Sequence, residues 1–204
     1  MTRPIRIASF VMIMCLAIVA TAQTAPPADT LKVDYFANGL GSVDETLHLT
    51  NPGTAGGDLC AAIYVFDPEQ EMTECCSCLL TPDGLRTISV NKNLLANPLV
   101  GTSPKTGSIS IVSIPSPKAV CPTYPTSLSP TAGIRAWGTH LQNNGTLTET
   151  QSQDATLSAS EEFLLEIECS GIQIDGSGHG LCSCGTGDAA GADPTPPAPW
   201  ASFN

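Results

Sequence analysis

Residues 59–66 read Leu-Cys-Ala-Ala-Ile-Tyr-Val-Phe, the most apolar run downstream of the first two dozen residues. Eight residues are short for a core helix, and Ile63, Tyr64, Val65 and Phe66 are strand formers. The run therefore predicts a strand buried inside a sheet. Asn51-Pro-Gly and Gly56-Gly57 precede it and Asp67-Pro68 follows it, so turns bound it on both sides.

Working outward, strand-like runs recur at short spacing. Upstream lie Lys32–Phe36, ending before Asn38-Gly39, and a run in which Val43, Glu45, Leu47 and Leu49 alternate with polar residues to make one buried face. Downstream come Glu71–Cys78, the turn Pro82-Asp83-Gly84, and Leu85–Asn91 with Ile88 and Val90 on one side and Thr87 and Ser89 on the other. In Ser108–Ile114 the apolar phase moves from Ile109 and Ile111 to Val112 and Ile114, which predicts a bulge. Five prolines make residues 115–131 irregular. Gly133–Leu141 and Leu147–Ser152 form the last strands, joined through the hairpin-type turn Asn143-Asn144-Gly145. One helix is expected over Ala159–Glu168, because Ser158 and Glu161 match a capping box and Phe163, Leu164, Ile167 and Cys169 share a helical face. About eight short strands and one C-terminal helix predict a mainly β fold, an antiparallel and immunoglobulin-like β-sandwich.

The ends bound compartment and partners. Arg3 and Arg6, the apolar stretch Ile7–Ala20, and Ala20-Thr21-Ala22 have the three parts of a secretory signal peptide. Cleavage after Ala22 makes residues 1–22 the signal and 23–31 a flexible lead-in. A single sandwich domain over 32–184 and a disordered Gly/Ala/Pro-rich tail over 185–204 follow. The exported protein is expected outside the cytoplasm, at the cell surface, in the medium or in the periplasm, with no membrane contact after cleavage. The whole chain carries a net charge of −11; losing Arg3 and Arg6 leaves six basic residues against 19 acidic ones, a net −13. Such a charge repels phosphate backbones and excludes nucleic acid as a partner.

Cys15 leaves with the signal, so eight cysteines remain: Cys60, Cys75, Cys76, Cys78, Cys121, Cys169, Cys182 and Cys184. An even count in an exported chain reads as disulfides. Cys75-Cys76-Ser77-Cys78 and Cys182-Ser183-Cys184 are the most distinctive elements. On strands, Cys76 and Cys78 share one side and so do Cys182 and Cys184, which predicts a two-rung ladder between the triplets; the other four would supply the remaining bridges. The competing reading gives thiolates of both triplets, with His179, to a soft metal such as Zn²⁺ or Cu(I), or leaves a redox-labile bridge near Cys75-Cys76. Neither triplet has the C-x₂-C spacing of common zinc sites, so no metal is assigned.

The stretch LCAAIYVFDPEQEMTECCSCLLTPDGL (59–85), with GIRAWGTH, QDATLSASE and GSGHGLCSCG further on, resembles an uncharacterised family of secreted, cysteine-containing proteins of Acidobacteria. That family has no assigned activity. The resemblance implies export and one domain, and it carries over no catalytic residue.

No G-x-S-x-G elbow and no H-E-x-x-H pattern occurs. Ser177 and His179 lie in a glycine turn without a third group to orient them. Glu69, Glu71, Glu74 and Asp83 read as a solvated acidic face rather than paired catalytic carboxylates. His48 is expected on a solvent face and His140 on the Ile134/Ala136 face. No catalytic residue and no cofactor is assigned. The composition points to a non-enzymatic structural or adhesive protein of a cell surface, matrix or filament, partnered by itself or by other surface proteins. The alternative is a secreted binding module for carbohydrate or another surface ligand. Aromatic rings stack on sugars, and of Tyr35, Tyr124, Trp137 and Trp200 the candidate contact is Trp137, opposite the Ile134/Ala136 face.

Overall fold

The computed structural model describes residues 29–37, 43–142 and 144–187. The expected signal segment 1–22, residues 23–28 of the expected lead-in and the tail from 188 onward lie outside the described residues. Among the described residues ten strands form two antiparallel sheets: β1 (Leu31–Phe36), β2 (Thr46–Thr50), β3 (Leu59–Phe66), β4 (Met72–Leu80), β5 (Leu85–Ser89), β6 (Gly107–Pro115), β7 (Arg135–Leu141), β8 (Leu147–Gln151), β9 (Gln153–Ala155) and β10 (Thr186–Gly187). The first sheet runs β4-β3-β6-β1-β9 and the second β10-β5-β2-β7-β8. Among the described residues one α-helix, α1, spans Ala159–Asp175, and a single π-helical turn spans Val90–Leu94. The chain is an antiparallel β-sandwich with a single C-terminal helix. Its two five-stranded sheets exceed the seven strands of an immunoglobulin constant domain.

Layering explains the hydrophobic patterns. Strand β4 is buried at all nine positions and β3 at all but Phe66, whereas β2, β5 and β7 alternate. The inner faces of both sheets enclose one core, containing Phe36, Leu47, Leu49, Ile63, Ile88 and Ile111. The outer face of the first sheet is covered a second time, by α1 and the irregular segment after β6. There Tyr64, Val112 and Ile114 pack with Leu128, Leu165 and Ile172, and the Tyr64 hydroxyl donates to Pro125 O at 2.8 Å. Among the described residues the outer face of the second sheet has no such cover, so its strands alternate.

Double burial also corrects the expected bulge. Strand β6 keeps continuous register with both neighbours, from Phe36↔Gly107 to Leu31↔Val112 and from Phe66↔Ser108 to Leu59↔Pro115. Ile109 and Ile111 face the inner core, while Val112 and Ile114 belong to the outer one. The apparent phase shift is a strand with two apolar faces. The register does shift between Val65 and Phe66, opposite Glu74 and Met72. Val43 is also outside the core, at 42% exposure.

The helix is longer than its pattern predicts and turned the other way. Ser158 caps it, its hydroxyl accepting from Glu161 N at 3.1 Å. It then passes through Ser170-Gly171, a place where a mid-helix glycine costs about 1 kcal/mol. Its inward face is Leu165, Cys169 and Ile172, while Phe163, Leu164 and Ile167 are exposed. The bridge between Cys75 and Cys169 fixes that rotation. Asp29–Leu31 and Gly185–Gly187 belong to the folded domain: Thr30 and Leu31 are buried, and β10 pairs with β5.

Candidate functional site

All eight cysteines expected in the exported chain are joined. The triplets pair rung to rung, Cys76 with Cys182 (Cα–Cα 5.2 Å) and Cys78 with Cys184 (5.4 Å), on the inward face of β4. Cys75, on the opposite face, holds α1 through Cys169, and Cys60 of β3 ties down the irregular segment through Cys121. Strand β4 thus carries three of the four bridges. Backbone bonds complete this seam: Cys75 N donates to Gly180 O (2.9 Å) and Ser183 N to Asn93 O (3.0 Å). Arg86 of β5 donates to Leu79 O (2.9 Å) and Cys184 O (3.3 Å), linking the two sheets. Gly180 is required here. Its φ is +80°, and a Cβ would stand 2.5 Å from Ile172 Cγ2. His179 is bonded to Asn97 (Nδ1···Oδ1 3.0 Å) in the exposed turn that holds Ser177. Among the described residues no group of three His, Cys, Asp or Glu side chains is arranged to hold a metal ion.

The opposite side of the sandwich is closed by polar chemistry that sequence patterns did not bring together. Asp34 of β1, Glu45 just before β2 and His140 of β7 are all buried. His140 Nε2 lies 3.4 Å from Asp34 Oδ1 and its Nδ1 3.6 Å from Glu45 Oε2. The Tyr35 ring stacks on the imidazole at 4.0 Å, 7° from parallel. Asp34 accepts from Tyr35 N (2.8 Å) and Ser152 Oγ (2.6 Å), and Glu45 from Leu141 N (2.9 Å) and Ala37 N (3.0 Å). With every carboxylate oxygen engaged by the protein and the ring covered by Tyr35, the cluster is a tie between sheets. Alternation places Glu45 and His140 on core faces; their meeting with Asp34 depends on which strands face each other, which alternation does not encode. A Cβ on Gly138 would sit 2.9 Å from His140 Nε2 and 3.0 Å from Asp34 Oδ2. Gly138→Ala is expected to cost about 2 kcal/mol by overpacking, read as a lower denaturant midpoint with an unchanged slope.

Glu74 departs from the expected acidic face. Glu69, Glu71 and Asp83 are exposed, but Glu74 is fully buried on β4. Its Oε1 accepts from Asn97 N at 3.0 Å, and its Oε2 has no hydrogen-bond partner. Burial pushes its carboxyl up to about 8, with the Asn97 N–H pulling the other way. It is a buried neutral acid at neutral pH.

The uncovered outer face of the second sheet carries the candidate ligand contact, Trp137. Register places Thr87 (β5), His48 (β2), Trp137 (β7) and Gln151 (β8) in one rung across four strands. Ser89, Thr46, Thr139 and Glu149 form the next rung, and Leu85, Thr50 and Arg135 flank the first on its other side. The His48 and Trp137 rings stack at 5.3 Å, 17° from parallel. Thr46 and Thr87 hydroxyls engage His48 Nε2 (3.0 Å) and Nδ1 (3.1 Å), so both ring nitrogens are held. Partial burial lowers the His48 pKa, against a smaller opposing pull from Glu149. A shallow depression of about 350 Å³ lies on the β8 side of Trp137, lined by Arg135, Ala136, Glu149, Thr150 and Gln151. Of the other aromatic candidates, Tyr35 covers His140, Tyr124 packs on the outer core and Trp200 lies outside the described residues.

The chain matches no family model, no curated protein and no solved structure. Four disulfides place the folded domain in an oxidising compartment. Among the described residues no helix is long and apolar enough to cross a membrane.

Proposed function

We propose that this protein is a non-enzymatic, exported structural or adhesive domain that works at a cell surface or in an extracellular matrix. The observation that carries this reading is where the cysteines are spent. Three bridges on β4 and one on β3 lock the helix, the irregular segment and the segment 182–184 that leads into β10 onto one sheet, while among the described residues the outer face of the other sheet is left uncovered. A domain cross-linked in this way resists unfolding and proteolysis outside the cell, and its uncovered face is free to make contacts. The signal-like first 22 residues and the resemblance to secreted Acidobacteria proteins support the same compartment.

Fractionation of cells exporting the full chain tests this. The protein is expected with washed envelopes or matrix, released by denaturant rather than by salt alone. Recovery of all of it as free monomer in the medium would contradict the reading.

A further inference from the structure

We propose that the His48–Trp137 rung of the outer sheet face is a binding site for a neutral pyranose chain, with one sugar ring seated in the depression against the indole. The proposal deepens the adhesive reading by naming what the exposed face would hold.

The case rests on shape and on paired chemistry. His48 stacks on one side of the indole and is absent from the lining of the depression, which opens on the β8 side. Trp137 thus stands between His48 of β2 on one side and β8 on the other, with its indole stacked on His48 and its side of the depression shared with Glu149 and Gln151. Its orientation is set in advance, because both nitrogens of His48 are held by threonine hydroxyls. An apolar ring face fixed before binding loses little freedom on contact, which favours affinity.

A pyranose ring presents an apolar C–H face and a rim of hydroxyls. The depression matches both. Trp137 offers the aromatic face, Glu149 accepts hydrogen bonds, Gln151 donates and accepts, and Arg135 donates. Arg135 already gives one bond to Asp29 (2.8 Å), which steadies a guanidinium that carries five N–H donors. The rung from Thr87 to Gln151 spans about 14 Å at ordinary strand spacing, so neighbouring sugar units of a chain would lie over His48 and Thr87. Charge selects the class of sugar: a chain of net charge −11, with Glu149 in the lining, disfavours uronate and sulfated polymers and accepts neutral ones.

The test uses the full exported, oxidised protein carrying Trp200→Phe, which leaves Trp137 as the only indole of the two in the chain. Cellohexaose, xylohexaose, maltohexaose and chitohexaose are titrated while its fluorescence is followed. The expected result is a saturable intensity or wavelength change with at least one of them. Binding measured by calorimetry should weaken roughly tenfold in Trp137→Ala and several-fold in Glu149→Gln, with both variants keeping a cooperative thermal transition above the temperature of the titration. A flat response to all four overturns the proposal, as does calorimetric binding that Trp137→Ala leaves intact. A fluorescence change that follows protein concentration rather than sugar also overturns it, by assigning the face to a second copy. Envelope attachment that survives Trp137→Ala would sink this site and leave the adhesive reading standing. Sugar binding by a protein found wholly free in the medium would do the reverse.

Discussion

Glu74→Gln is expected to remove a loss of stability that the wild-type protein suffers between about pH 4.5 and 8. The Glu74 carboxyl is buried on β4, with one oxygen on Asn97 N and the other without a hydrogen-bond partner, and its pKa rises to about 8. In the unfolded chain the same group ionises near its ordinary value of 4.5. Below that value both states hold the proton and the group takes nothing from stability. Between the two values only the folded state holds it, so the unfolded state binds fewer protons and stability falls as pH rises. Above about 8 the loss is complete, at roughly 5 kcal/mol by the usual 1.36 kcal/mol per pKa unit. Glutamine keeps an oxygen for Asn97 N and has no proton to lose. Denaturant unfolding of oxidised wild type and Glu74→Gln at pH 4 and pH 9 checks this. The difference between the two should swing by several kcal/mol in favour of the variant at pH 9. Parallel pH profiles would show that Glu74 is solvated or ionised in the fold.

Removing both rungs between the cysteine triplets is expected to cost about 1 kcal/mol more than the sum of the two single-pair losses. Cys76–Cys182 and Cys78–Cys184 each span 106 residues, and Cys75–Cys169 already closes 94 of them. With that bridge in place, the first rung closes an effective loop of only about 14 residues, worth roughly 3 kcal/mol in the chain-entropy account. A second rung beside it closes a ring of about six residues and adds roughly 2 kcal/mol. Cys→Ser replacement of one pair should therefore cost about 2 kcal/mol and of both pairs about 5. The comparison is unfolding free energy of the two single-pair variants and the double-pair variant. Additive losses would mean that the rungs act through local packing rather than by tethering the same segment.

The fold was legible wherever one face of a strand met water. In β2, β5 and β7 the alternation of Leu47 with His48, Ile88 with Thr87, and Ala136 with Trp137 places each residue on its observed side. It also puts Trp137 on the outer face and His140 on the inner one. Legibility ended where strands were covered twice. Val112 and Ile114 read as a slipped phase because a helix and loop bury the far side of β6, and no local pattern announces a third layer. The helix was misoriented for a related reason. Phe163, Leu164 and Ile167 form the more apolar face, yet Leu165, Cys169 and Ile172 turn inward because Cys75 anchors the helix there. Cysteine parity within the triplets predicted their ladder, since period-two geometry is local. The contacts among Asp34, Glu45 and His140, and the burial of Glu74, depend on long-range placement and left no local signal.

The account depends most on every cysteine of the exported domain being spent on a bridge. Intact mass of the exported full chain, taken after alkylation in denaturant with and without prior reduction, measures this directly. For a protein that has lost Cys15 with the proposed signal, the account predicts no alkylation before reduction, and after it eight alkylated thiols, two from each of the four bridges. Thiols that react without reduction, or a metal retained in the native mass, would contradict the account and make Cys75–Cys78 and Cys182–Cys184 a chemical site.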